Sequence, residues 1–571
     1  MKKQLFMDFT FLKVSCISCG IFVKKGIVYM LVLLLGFTCS CSKDNDNTEK
    51  EKSSENKEAS NNEETNNDIK VRLTSADLID GSYFDGILYY RIISNTDNFV
   101  EISQVTKSAK SIEIPRKIII DNTVFTVTSL GNNSFQDCKD LSYITIPSSI
   151  TSVGNHAFSG CSILTALVLP NSISEIGHHA FYNCKELITF EIPDGVATIK
   201  ESTFEGCERL LMISLPKSVS NIEKHAFRYC YSLSKIDIPD GVSVINEGTF
   251  ENSGISKISL PNSISYIGNH AFKNSALRTI DIPDAVSEIK ESTFEDCTGL
   301  ETISLPENIS HIGHHAFKNC SRLKDLTLPP SLNSIGEYAF EDCSSLSSVL
   351  VLGSPYDIGV SIFKNCKLLT NVVFDCSIVT PLFKGNDYIN KVTMTGKVTE
   401  IEDAAFYGCE NLTTLVADDE KDAYNSYPYD WCIGMRSFPE SVTSIGKDAF
   451  AYCKKLDSFV ISNGVTSIGD YAFAHIELNK VFIGRNVKNI GKQAFNCSHN
   501  YPYTRLFLCG APPQTFSNFI DNSVFKNGKG CIHLLMTYID DYKSTAPWSQ
   551  FAILLTHETE EDLWNSYKDW N

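Results

Sequence analysis

Aligned on phenylalanine, the apolar positions of this chain repeat. Phe135, Phe158, Phe181, Phe204, Phe227, Phe250, Phe272, Phe294, Phe317, Phe340, Phe363, Phe383, Phe406, Phe450, Phe473 and Phe495 follow one another at steps of mostly 22 or 23 residues. Around each runs Ile-Gly-x-x-Ala-Phe-x-x-Cys-x-x-Leu-x-x-Ile-x-Ile-Pro, as from Ile312 and Gly313 through Ala316, Phe317, Cys320, Leu323, Leu326 and Leu328 to Pro329. The Leu-x-x-Ile-x-Ile segment alternates with period two, which predicts a short strand buried on one face. Proline ends it, because it cannot donate to a ladder. Asp-Gly or Asn-Ser then turns the chain, as at Asp194-Gly195 and Asn262-Ser263. Val/Ile-x-x-Ile-Gly returns it as a second short extended segment, with the Ala-Phe piece between them as a loop or 3₁₀ turn.

No unit of this size buries its apolar residues alone, so the period predicts stacking in register around columns of Leu, Ile and Phe. The expected fold is a mainly β repeat solenoid of about seventeen units of ~23 residues. That count places a degenerate unit in the 44-residue gap between Phe406 and Phe450, with Tyr429 in the Phe position and Cys432 in register. The pattern also has a longer period. On the outward strand face Glu191, Asp237 and Asp281 mark one set of units, and Ser214, Ser259 and Ser304 the units between. This points to duplication of a two-unit block of about 46 residues, which turns irregular from Leu350 to Ser441.

The first 41 residues read as an export segment. Lys24 and Lys25 precede an apolar run from Ile27 to Leu35, too short for the roughly 20 residues of a membrane span. Small residues then lead to Cys41, which resembles the lipidated cysteine of a bacterial lipobox, although Thr38 replaces the usual Leu. Residues 42–68 are rich in Glu, Lys, Asn and Ser, with no aromatic or large aliphatic side chain. Such a tract has nothing to bury, so it is expected to be a disordered tether. Its first acidic residues resemble the surface-export signal of Bacteroidota lipoproteins.

The repeats resemble the BspA-like leucine-rich-repeat family of bacterial and protist surface proteins, from about Val127 to Cys497. Asp85-Gly86-Ile87-Leu88-Tyr89-Tyr90-Arg91-Ile92 is similar to the strand pair that opens many members. Cys509-Gly510-Ala511-Pro512-Pro513, with Tyr542-Lys543 and Trp548, is similar to the family's closing module. The resemblance implies an N-terminal β cap over 69–126, a leucine-rich-repeat solenoid over 127–498 and a C-terminal cap over 499–571. It also implies adhesion to host matrix proteins, host cells or other bacteria, from a lipid-anchored position at the outer membrane and cell surface.

Residues with chemical character need weighing against this architecture. Cys138, Cys161, Cys184, Cys207, Cys230, Cys297, Cys320, Cys343, Cys366, Cys409, Cys453 and Cys497 share one register. A line of thiols, one per rung, does not converge on a tetrahedral zinc, so the ladder is expected to be buried packing. Cys509 and Cys531 lie off it, where an oxidising compartment would permit a disulfide. His156, His179, His225, His270 and His315 precede the Ala-Phe pair, mostly in alternate units roughly 10 Å apart. That is too far to share a metal. No nucleophile-elbow, zinc-protease or phosphate-loop motif is present, and the expected protein has no enzyme activity, cofactor or metal.

Net charge is −18, which argues against nucleic acid, whose phosphates need clustered Lys and Arg. The expected partner is an extracellular protein or glycan, met by Glu191, Asp237 and Asp281 on the strand face or by Tyr427 and Trp431 in the degenerate unit. Glycan or nutrient capture is the alternative function, and a structural surface role by self-association a third.

Overall fold

The computed structural model describes residues 71–418 and 437–496, and beyond these the strands at 504–508, 515–516, 530–535 and 555–558. Among the described residues the regular structure is β, apart from one 3₁₀ turn at Ser75–Asp77. Two parallel ladders run through the repeats. The strand ladder carries Leu-x-x-Ile-x-Ile, with Phe190 opposite Ile213 and Ile280 opposite Ile303. The return ladder carries Ile-Gly, with Ile312 opposite Ile335 and Ile445 opposite Ile468. Both keep a register in which like residue meets like, so identical apolar side chains stack into one buried core.

The third side of each turn is laddered too. His156, Phe158 and Gly160 donate their N–H groups to the carbonyls of His178, Ala180 and Tyr182 on the next rung, at 2.9, 2.8 and 2.7 Å. Every second backbone group of this turn is thereby satisfied across the stack, as buried peptide groups require. The turn is not a 3₁₀ helix. It holds a left-handed residue on either side of the Phe, such as Ser202 and Gly206 (φ 52 and 75°) or His315 and Asn319 (φ 54 and 58°). The phenylalanine rings stack along it at centroid distances of 4.9–5.7 Å, and Phe374 meets both Phe383 and Phe406 edge-on. Where Gly follows the return strand, rungs approach closely: a Cβ on Gly313 or Gly336 would lie 2.6 or 2.4 Å from the backbone N of Glu291 or His314.

Both ladders begin in the opening module. Ser111–Glu113 pairs with Tyr143–Thr145, and Thr123–Leu130 with Ser152–Val153. The strand pair read from Asp85 to Ile92 is present as antiparallel strands Ser82–Phe84 and Leu88–Ser94. At the other end, Thr504–Leu508, Gly530–Leu535 and Leu555–Glu558 extend the strand ladder, and Thr515–Phe516 extends the return ladder.

One expectation is corrected. Phe406 stacks directly on Phe450 at 5.2 Å, and the Cys453 thiol donates to the Phe406 carbonyl at 3.1 Å. The return ladder likewise passes from Glu400–Ile401 straight to Ser444–Ile445. No ring or thiol comes between them, so Tyr429 and Cys432, themselves outside the described residues, do not form a seventeenth rung of the Phe and Cys columns. Sixteen phenylalanines fill that register. The strand ladder behaves differently. It breaks after Thr414–Asp418 and resumes with Ser437, which bridges to Val460. The inserted residues therefore lengthen one side of the stack and leave the other two uninterrupted.

Candidate binding face

The pleat of the strand ladder sends alternate side chains outward. Glu191, Ser214, Asp237, Ser259, Asp281, Ser304 and Thr327 form one such row and are exposed. Glu191 is registered with Ser214, Asp237 with Ser259, and Asp281 with Ser304. Carboxylates on alternate rungs stand about 10 Å apart, which leaves each as a separate charge and does not suit a paired acid and base around one sugar ring. Asp237 meets Lys235 at 3.1 Å on its own strand. Apolar side chains share this face near its N-terminal end, with Tyr143 60%, Met212 51% and Val168 84% exposed.

Further along, the same row changes character. Leu350, Val373 and Val416 are half-buried, Thr393 is buried, and Val460 and Phe482 are 5% and 3% exposed. Ser458 and Lys480 beside them are buried as well. Among the described residues this outward row is thus exposed from Glu191 to Thr327 and partly or wholly covered after it. Part of the signal was in the sequence: Leu350, Val373, Val416, Val460 and Phe482 stand in succession where the units from Glu191 to Thr327 have Ser, Thr, Asp or Glu, although the earlier Val168 is apolar and exposed. Phe438, from the irregular stretch, is fully buried and packs edge-on against Phe450, Phe459 and Phe473. Tyr427, Trp431, Cys41, Cys497 and Cys509 lie outside the described residues.

The cysteine column has a specific role in packing. In ten rungs the thiol donates to the carbonyl of the preceding rung's phenylalanine, at 3.0–3.2 Å. That carbonyl already accepts from the cysteine N–H of its own rung, as Phe135 does from Cys138 at 3.2 Å, so the thiol fills its second lone pair. The serine that replaces cysteine at Ser253 has the shorter Cβ–O bond, and its buried hydroxyl finds no partner among the described residues. Burial pushes the Cys297 thiol up to about 11 and the Cys409 thiol up to about 12. They are neither nucleophiles nor thiolate ligands in this state.

The histidine column follows from the backbone. His156, His179, His225, His270 and His315 have φ of 54–57°, and Ser202, Gly248 and Ser292 fill the same left-handed position between them. Residues whose short polar side chains tolerate that region are favoured there. His156 and His179 lie ring on ring at 4.6 Å and 15°, and stacked rings do not converge their nitrogens on a common point. Among the described residues no three of His, Cys, Asp and Glu come together as a metal ion needs.

The two-unit period also has a physical basis. From Phe204 to Phe363 the residue after the Phe reads Glu205, Arg228, Glu251, Lys273, Glu295, Lys318, Glu341, Lys364, alternating in sign rung by rung. Arg228 meets Glu251 at 2.9 Å and Glu205 at 3.8 Å, and Glu341 meets both Lys318 and Lys364 at 2.8 Å. Like charges one rung apart would repel, so neighbouring units must differ and alternate units agree. A second alternation runs beside it. Where Lys200, Asn246 or Lys290 replaces the glycine, Thr203, Thr249 or Thr293 replaces the alanine and donates to that residue's carbonyl at 2.8 Å.

A BspA type leucine rich repeat region is matched at residues 128–256, 243–370, 356–438 and 424–504, together about two thirds of the chain. The chain belongs to the BspA-type leucine-rich repeat family. No curated protein matches it. Among solved structures, a leucine-rich repeat protein from Bacteroides ovatus is 24% identical, covering 76% of this chain and 99% of that one at a TM-score of 0.47. A leucine rich cell surface protein from Faecalibacterium prausnitzii is 24% identical, with 72% and 91% covered and a TM-score of 0.34. A leucine rich repeat protein of T. pallidum is 26% identical over 42% of this chain and 90% of its own, with a TM-score of 0.24. Among the described residues of this BspA-type protein, no helix is long and apolar enough to cross a membrane.

Proposed function

We propose that this BspA-type repeat protein is a non-enzymatic binding protein of the cell surface, held there by a lipid on Cys41 and adhering to host or matrix proteins or to other cells. The observation that carries the reading is the exposed outward row from Glu191 to Thr327, polar side chains set at a fixed rung spacing on a rigid ladder. A broad, regular, accessible face of this kind suits a macromolecular ligand. The family supports a binding role and a surface location, and the buried, protonated thiols offer no chemistry of their own. Glu191, Asp237 and Asp281 are the proposed ligand-facing residues, and Tyr427 and Trp431 a second contact.

The test uses cells making the full chain. Adhesion to immobilised matrix proteins, to glycans and to cells carrying the same protein is compared with that of cells making a Glu191→Ala, Asp237→Ala, Asp281→Ala variant. Binding to a protein surface, lost in the variant, is expected. Binding to oligosaccharides alone would favour nutrient capture, and association only between like cells a structural role. Radiolabelled fatty acid should enter the protein and be absent from Cys41→Ala. Its retention there would refute the anchor.

A further inference from the structure

The left-handed position before Ala-Phe is occupied by alternating residue types along most of the stack, and histidine is followed there by Ser202, Gly248, Ser292 or Tyr338. At one joint it is not. His156 and His179 occupy consecutive rungs and lie face to face at 4.6 Å. The Nδ1 atom of His179 is buried with no hydrogen-bond partner among the described residues. We propose that this stacked pair is an acid-sensitive joint, which holds the Phe158 and Phe181 turns together when both imidazoles are neutral and loosens them when they take up protons.

The groups around the pair determine the sign. Tyr182 stands 5.8 Å from the His179 ring and brings no charge in this range. His178 precedes His179 and its Nδ1 is 3.6 Å from the Glu223 carboxylate. Glu201 and Glu205, from the next rung, attract a proton to His179. Both are engaged elsewhere, Glu201 with Lys224 at 3.2 Å and Glu205 with Arg228 at 3.8 Å. Burial first, and then the neighbouring His156, outweigh them and hold the His179 imidazole below its ordinary value of 6.5. The folded stack therefore binds fewer protons than the unfolded chain just below that pH. Stability at this joint is complete above it and falls as pH drops through the imidazole range. The bonds at stake are those from His156, Phe158 and Gly160 to His178, Ala180 and Tyr182. A solenoid sums the interfaces of neighbouring repeats, so one weakened interface opens locally.

Hydrogen exchange of the full chain at about pH 7.5 and pH 5, corrected for the intrinsic rate, tests this. Protection at Phe158 and Gly160 should fall in acid, by up to about tenfold for each pK unit by which folding depresses the His179 imidazole. The His315–Tyr338 joint, with a phenol stacked in place of the second imidazole at 5.6 Å, should keep its protection in the same sample. In His156→Ser, a residue this column accepts at Ser202 and Ser292, and in His156→Asn, the acid loss should be smaller than in the wild type, with only the part due to the burial of His179 remaining. Unchanged protection in the wild type, or an equal loss in both variants, would overturn the proposal.

Discussion

Two stretches of the same solenoid treat the same strand in opposite ways. Between Thr189 and Ser304 each ladder strand is at most three residues long, ends in Ile-Pro or Leu-Pro, and turns exposed side chains outward. Ser458–Ile461 and Lys480–Ile483 are four residues long, lack the proline, and are buried on both faces. The residue after Phe changes in parallel, from the alternating Glu and Arg or Lys of the first stretch to the buried Ala451 and Ala474 of the second. Period-two alternation fixes which side chains enter the core. What becomes of the others depends on whether more of the chain packs against them. The accessible face of the protein is accordingly its proline-terminated stretch.

Substitutions can break this comparison. Phe227→Ala removes a fully buried ring from the middle of the column and should cost about 3–5 kcal/mol in denaturant unfolding. Phe482→Ala tests the covered face. Despite its outward register it should cost about 3 kcal/mol, and a neutral result would mean that the burial of that face contributes nothing. Glu341→Gln tests the ion ladder. Burial raises the carboxyl, but Lys318 and Lys364 outweigh it and hold Glu341 below its ordinary value of 4.5. With the folded pKa depressed, its contribution is fully present above 4.5 and lost as pH falls from there through the lower folded value. The variant should be less stable by about 1 kcal/mol near neutrality, and the gap should narrow as pH falls below the ordinary carboxyl value. Asp237→Ala, outward and exposed beside an exposed lysine, should change stability by no more than about 0.5 kcal/mol. A cost like that of Phe482→Ala would erase the distinction between the two stretches.

Much of this was legible in the chain itself. The fixed step between phenylalanines, the Leu-x-x-Ile-x-Ile alternation and the proline after it specify a stacked β solenoid, because a unit too small to bury its own core has to share it with its neighbours. The sequence also marked the cysteine column as packing, since one thiol per rung cannot encircle a metal. It did not reveal that each thiol reaches the carbonyl of the preceding phenylalanine, or that the histidines sit where φ is positive. Those depend on how far one rung lies from the next and how the turn folds between them.

The same limit explains the one misread unit. Tyr429 and Cys432 have the right spacing for a rung, but spacing along the chain does not say which side of the stack an insertion lengthens. Only the contact of Phe406 with Phe450 decides that, because a column 5.2 Å from ring to ring has no room for another aromatic. Periodicity settled the class of fold and the inward side chains of nearly every rung. The division of the outward face into an open and a covered part was decided by tertiary packing, because alternation along a strand distinguishes its two sides and carries no record of what lies against the second.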